Sequence, residues 1–104
     1  MNKVFVYVTL MDERKIKKVI GHEVVLTPLK IKGIKEVSQN LSKTETNYHT
    51  LIPSKDSYAE GAVFEVNNSE LSKLDNWEER YRRVELNLKD DDVIYTYILK
   101  ETRN

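Results

Sequence analysis

The sequence predicts an α+β domain built on a mostly antiparallel, barrel-like sheet. Short segments with a two-residue apolar period recur along the chain, and only two stretches carry a helical apolar stripe. The 104 residues suffice for one modest core and not for two, so residues 1–104 are expected to form a single domain.

Residues 3–10 (KVFVYVTL) alternate, with Val4, Val6, Val8 and Leu10 on one side and Phe5, Tyr7 and Thr9 on the other. Both sides are largely apolar, which predicts a strand buried on two faces near the middle of a sheet. Residues 12–21 (DERKIKKVIG) predict a short helix with Asp12 as N-cap, Ile16, Val19 and Ile20 inward, and Gly21 as its stop. Residues 24–39 predict a strand in which Leu29 and Ile31 oppose Lys30 and Lys32, bent or bulged at Gly33. Residues 40–47 read as a polar turn, 48–53 as a short strand ending at proline, 54–60 as a loop and 61–66 as another strand. Residues 67–79 predict the second helix, with Asn68 or Ser69 as N-cap and Glu70 in the first turn, where the helix dipole favours an anion. Residues 82–88 and 93–100 alternate around an acidic KDDD turn and predict an antiparallel hairpin.

Formal net charge is zero, which argues against nucleic acid or a membrane surface as partner, since both usually require a basic excess. Residues 1–55 hold ten Lys/Arg against five Asp/Glu, and residues 56–104 hold seven against twelve. This asymmetry reads as complementarity between segments that interleave in the fold. With no cysteine there is no disulfide, thiolate zinc site or thiol nucleophile. His22 and His49 alone do not suggest a metal site. The first ten residues lack the apolar run of a signal peptide or membrane span, so a cytoplasmic protein is expected. A monomer or weak homodimer is expected as well.

The stretch LDNWEERYRR (74–83) sets two glutamates side by side after a tryptophan. On a helix turning about 100° per residue, with Leu71 at zero, Leu74 falls near about −60° and Trp77 near about −120°. Glu78 then lies within roughly 40° of the stripe centre, and Glu79 roughly 140° from it. If the helix stays regular, Glu79 is surface and Glu78 shares the buried face. A structural ion pair with Arg82 or Arg83 would explain an inward Glu78, and fraying of the helix end would turn it outward. Alternatively, a carboxylate half-buried beside Trp77 would have its pKa raised by desolvation and serve as a general base.

VFVYVTLM (4–11), NYHTLIPSKDS (47–57) and GAVFEVNNSELSKLDNWEERYRRVEL (61–86) together resemble the γ-glutamylcyclotransferase-like proteins. The likeness is strongest to the small branch holding the plant avirulence-induced and γ-glutamylamine cyclotransferase types. That family has a first strand ending Tyr-Gly-Ser/Thr-Leu, a later Gly-x-Val/Leu-Phe/Tyr strand, a helix ending Leu-Asp-x-x-Glu, and Tyr-x-Arg on the next strand. The resemblance runs from residue 4 to about residue 100 in the family's order, and its specificity lies in the ordered set. It implies a small mixed, mostly antiparallel β-barrel with two short flanking helices. It places the family glutamate on Glu78, already singled out by the helical geometry.

The resemblance further implies a cofactor-free, metal-free cyclotransferase. The free α-amino group of a γ-glutamyl amide attacks its own γ-carbonyl, closes 5-oxoproline and expels the amine, with Glu78 as general acid/base. Tyr7, Val8, Thr9 and Leu10 occupy the family's substrate loop, whose backbone N–H groups hold the glutamyl carboxylate. Tyr81 and Arg83 fall on the Tyr-x-Arg pair and are expected to shape the wall and pair with acids. Tyr7 is equally readable as a strand aromatic filling the barrel, Tyr95 and Tyr97 as core or cavity wall, and His49 as a bystander in a tyrosine-rich strand.

Val8 departs from the pattern, because the family has glycine there. Glycine at such a loop signals positive φ or close approach to the backbone, and valine suits neither. A retuned pocket, a non-catalytic small-ligand binding protein on the same fold, or a closed site would each follow. The segment between TLM and Gly21 is also short, which predicts an open cavity rim, and His49-Thr50 stands where the family favours proline and alanine. An interaction module using the sheet and the basic N-terminal half is a third reading, with no specific motif behind it.

Overall fold

In a computed structural model, residues 1–40, 47–77, 79–87 and 93–100 are described. Five strands, Asn2–Val6 (β1), Thr27–Asn40 (β2), Asn47–Val66 (β3), Tyr81–Asn87 (β4) and Val93–Leu99 (β5), form one sheet in the order β2-β3-β1-β5-β4. Every pairing is antiparallel except β1 with β5, which is parallel. The sheet curls into a half-barrel and carries two helices, Glu13–Ile20 (α1) and Asn68–Asp75 (α2).

As its alternation predicts, β1 is central and buried on both faces. Val4 and Val6 pack with Ala62, Phe64 and Val66 of β3 and with Ile16, Ile20, Leu71 and Leu74 of the helices. Phe5 and Tyr7 point the other way, into a second cluster with Ile31, Leu51, Ala59 and Ile94. Leu29 of β2 and Leu86 of β4, from the two flanks of the sheet, reach that same second cluster. The curl therefore wraps the sheet around Phe5 and Tyr7, whose rings stack 6.1 Å apart.

The strand expected over residues 3–10 is shorter than its pattern. It ends at Val6, and Val8–Met11 form a 3₁₀ turn leading into α1. The alternation extends through Tyr7, since an extended residue still directs its side chain by strand parity. α1 matches expectation: the Asp12 side chain accepts from the Arg14 N–H, and Gly21 stops the helix in the left-handed region.

β2 is displaced at Gly33, as its sequence predicts. Gly33 has φ 91°, and the register shifts there from Lys32↔Tyr58 to Ile34↔Pro53. Residues 54–57 of β3 thus oppose a single bulged residue and have no register partner on β2, and Ser54 and Ser57 bond each other at 2.8 Å. The expected succession of strand, loop and strand over 48–66 is instead one continuous β3, bent where the loop was expected. Twenty residues at about 3.3 Å each would span roughly 66 Å. The molecule's longest extent is 35 Å, so β3 has to fold back on itself. Its first half curls over the sheet: the Leu99 N–H donates to Thr50 Oγ1 at 3.0 Å, and the Tyr81 hydroxyl donates to the His49 carbonyl at 2.7 Å.

α2 differs at both ends. Its N-cap is Asn67, one residue earlier than expected, because Asn67 and Glu70 form a reciprocal capping box. It ends at Asp75, since Asn76 turns its side-chain amide back onto the Ser72 carbonyl and its N–H onto Lys73. β4 and β5 pair from Tyr81↔Leu99 to Asn87↔Val93, the expected hairpin. The two turns expected at 40–47 and at KDDD fall, apart from Asn40 and Asn47, outside the described residues. No described helix is long and apolar enough to cross a membrane.

Candidate active site

The β1–β5 ladder contains only two register pairs, Lys3↔Ile94 and Val4↔Tyr95. Beyond them the strands part, and side chains replace the ladder. The Thr96 hydroxyl donates to the Phe5 carbonyl at 2.9 Å, and the Tyr7 hydroxyl donates to the Tyr97 carbonyl at 2.6 Å. Both side chains are fully buried, where an unmet polar group would carry a desolvation cost.

Tyr7 lies at the centre of a polar cluster inside the half-barrel. Its hydroxyl accepts from Thr50, and Tyr81 and Glu36 stand close enough to act on its charge. Burial first, then Tyr81, pushes the Tyr7 phenol well above its ordinary range, so it remains a donor at any physiological pH. Across the β2–β3 ladder, His49 Nδ1 meets Glu36 Oε1 at 2.5 Å with both side chains partly exposed.

At the end of β1 the backbone turns sharply. Val8 has φ 49° and, among the described residues, is the sole non-glycine with positive φ. Its side chain is exposed. The residue type that the family places at this position is the one that would hold such a backbone without strain. Thr9 and Leu10 continue in the same 3₁₀ turn.

Asp75, at the last residue of α2, receives the Tyr97 hydroxyl on Oδ1 at 2.8 Å and approaches Arg83 Nη1 with Oδ2 at 3.5 Å. Arg83 in turn lies over the Tyr95 ring, 4.9 Å from its centroid. Burial, then the Asp75 carboxylate, raises the Tyr97 phenol far above its usual range. Arg83 therefore pairs with an acid, as expected, and that acid is Asp75. Tyr81 is buried in the wall with its hydroxyl on His49. Arg80 covers the Tyr48 ring, 4.8 Å from its centroid, and bonds the Tyr48 hydroxyl.

Glu78 lies outside the described residues. Because α2 ends at Asp75, the helical angles that set Glu78 inward do not extend to it, and its assignment rests on the family correspondence. Glu79 is exposed, as expected. The structure thus brings Tyr7, Thr50, Tyr81, Tyr97 and Asp75 together beside the Val8 turn. Thr50 and Asp75 carry no sequence signal for this role, since their partners lie 49 and 22 residues away.

Two open hollows flank β1. One, of about 650 Å³, adjoins the Val8 turn through Met11 and is lined by Pro28, Leu29, Lys30, Glu60 and Gly61. The other, of about 610 Å³, lies beside Met1, Lys3 and Val25, and none of Tyr7, Thr50, Tyr81, Tyr97 or Asp75 lines it. Among the described residues no cluster of three or more His, Asp or Glu could hold a metal ion.

The family model "Gamma-glutamyl cyclotransferase, AIG2-like" matches residues 4–104. No curated protein sequence matches the chain. Among solved structures, a gamma-glutamyl cyclotransferase superposes with a TM-score of 0.75 at 16% identity, over 95% of this chain and 66% of its own. An uncharacterized protein from Homo sapiens gives 0.74 at 19% identity, over 96% of this chain and 67% of its own. A protein from Arabidopsis thaliana solved in solution gives 0.73 at 22% identity, over 99% and 71%. At these identities the likenesses establish the fold, and this chain spans about two thirds of the cyclotransferase's length. From the family model and the fold together, the chain belongs to the gamma-glutamyl cyclotransferase, AIG2-like family.

Proposed function

We propose that this protein is a cofactor-free γ-glutamyl cyclotransferase that converts a γ-glutamyl amide to 5-oxoproline and a free amine. The observation that carries the reading is Val8: in a chain of this family, it keeps a positive φ at the family's glycine position despite the strain. Strained backbone of this kind persists where the surrounding structure over-determines it, commonly at functional sites.

In the proposed reaction the substrate glutamyl carboxylate rests on backbone N–H groups of residues 7–10, above the buried Tyr7 ring and beside Tyr81. The α-nitrogen bonds to the carbonyl carbon of the γ-amide as that carbon's bond to the departing nitrogen breaks. Glu78 takes two protons from the α-nitrogen, one from the ammonium before attack and one from the tetrahedral adduct, and returns each to the departing nitrogen, which leaves as an ammonium, so the protein ends as it began. An α-ammonium of pKa about 8 and a solvated glutamate near about 4.3 are poorly matched, and desolvation of Glu78 would narrow the gap. Folding the substrate into the ring-closing geometry supplies much of the acceleration. No atom changes oxidation state, so the chemistry calls for no redox group.

The second reading is ligand binding without turnover on the same fold. The exposed Val8 side chain favours it, by placing a branched group at the turn where the family has none. Mass spectrometry for 5-oxoproline separates the two. The wild type, Glu78→Gln and Val8→Gly are incubated with a panel of γ-glutamyl amino acids and amines. Product from wild type but not from Glu78→Gln is the expected result. Product from Val8→Gly alone would assign a closed site to the valine, and no product from any of the three would favour binding.

A further inference from the structure

We propose that Tyr97 is a positioning residue that sets the spacing between the β1 turn and the segment following α2. The inference rests on the cyclotransferase reading, because those two segments are the halves of the proposed site. Tyr97 touches each half with a different group. Its hydroxyl holds Asp75, three residues before Glu78. Its backbone carbonyl holds the Tyr7 hydroxyl, one residue before Val8.

The β1–β5 ladder ends at Val4↔Tyr95, so the Tyr7 hydroxyl, rather than a backbone pair, fixes Tyr7 against Tyr97. On the other side α2 has stopped at Asp75, whose side chain is held by Tyr97 and Arg83, and the chain continues through a turn in which the Trp77 N–H donates to the Leu74 carbonyl at 3.1 Å. Tyr97 is almost fully buried, and burial beside Asp75 keeps its phenol protonated. It is therefore a fixed donor to a fixed acceptor. A side chain locked in this way holds a distance, and small errors in the distance between reacting groups are costly to rate.

Tyr97→Phe keeps the ring and the backbone carbonyl and removes only the link to Asp75. In the full-length chain it is expected to lower kcat about 10- to 100-fold while leaving KM nearly unchanged. Asp75→Ala should do the same. Asp75→Asn, which retains an acceptor oxygen, should recover part of the rate. Thr96→Val removes a buried hydrogen bond from the same strand to β1 without touching Asp75. It should lower stability and spare kcat, which separates positioning from general destabilisation.

Amide hydrogen exchange reads the coupling without turnover. Tyr97→Phe should accelerate exchange at Asn76 and Trp77, which follow the freed Asp75, while leaving the β2–β3 ladder near Ile31 unchanged. Unchanged kcat in Tyr97→Phe, or unchanged exchange at Asn76 and Trp77, overturns the proposal. A wild type that makes no 5-oxoproline from any amide would sink the cyclotransferase reading instead, and the exchange result would still decide whether Tyr97 couples the two segments.

Discussion

Gly61 passes so close to Val6 that a methyl group on its α-carbon would stand 2.2 Å from the Val6 carbonyl oxygen and 2.7 Å from the end of the Phe5 ring. This is the glycine of the GAVFEV strand, and its role is close approach: β3 lies against β1 where the Val8 turn begins. Neither obstacle can give way cheaply, one being backbone and the other a ring in the core. Gly61→Ala is expected to cost roughly 3 kcal/mol by overpacking, read as a lower midpoint in urea unfolding. A midpoint equal to wild type would mean the two strands separate freely.

Val8 presents the reverse case. A β-branched residue at φ 49° stores strain that glycine would release, while glycine also enlarges the unfolded ensemble. The net expectation for Val8→Gly is a gain of roughly 1 kcal/mol, seen as a higher melting temperature. Val8→Ala should gain less, because alanine relieves only the branching. A Val8→Gly protein that melts lower would show that the valine side chain contributes packing worth more than its strain.

The pairing of His22 with Glu70 ties the end of α1 to the first turn of α2, and it makes stability depend on pH. His22 is raised above 6.5, first by its bond with the Glu23 carbonyl and then by Glu70, with Lys73 opposing. Glu70 is lowered below 4.5, first by the Asn67 N–H and then by His22. A raised histidine contributes fully below its unfolded pKa and loses that contribution as pH rises through the folded one. A lowered glutamate contributes fully above its unfolded pKa and loses it as pH falls through the folded one. The pair is thus at full strength between about pH 4.5 and 6.5 and fades on both sides. Denaturation midpoints of wild type and His22→Gln, taken from pH 4 to about pH 9 across that linkage window, should differ most inside it and converge toward alkaline pH. A difference that stays constant across the range would rule the linkage out.

The capping box supplies a fourth expectation. Asn67→Ala should cost about 1 kcal/mol by leaving the Glu70 N–H unmet at the start of α2. Glu70→Ala should cost more near pH 6, since it removes both the reciprocal bond to Asn67 and the contact with His22. Equal losses from the two substitutions would mean that the histidine adds nothing.

Local patterns in the sequence were readable where one residue's environment settles its conformation. The two-sided burial of Val4 to Val6, the left-handed stop at Gly21, the bulge at Gly33 and the antiparallel pairing of β4 with β5 all follow from such patterns. β3 was not readable as one strand, because Pro53 and the polar SKDS run look like a loop when taken alone. They form a bend only because Gly33, on another strand, yields opposite them. The end of α2 departs from its pattern for a similar reason: the apolar stripe continues through Trp77, yet the Asn76 side chain caps the helix first. Of the candidate site, the sequence singles out Val8 and Glu78 through departure from, or agreement with, a family pattern. The Tyr7–Tyr97–Asp75 connection was invisible, since nothing in a sequence marks a hydroxyl that finds its acceptor ninety residues away.

The parallel pairing of β1 with β5 also bears on how the chain is made. β1 is synthesised before β5 yet lies at the sheet's centre, so one of its two edges waits for the partner that emerges last of the five strands. Until then the newborn chain displays an apolar strand with an unpaired backbone, a template for pairing with other chains. A nascent chain stalled after Asn87 would carry that edge uncovered.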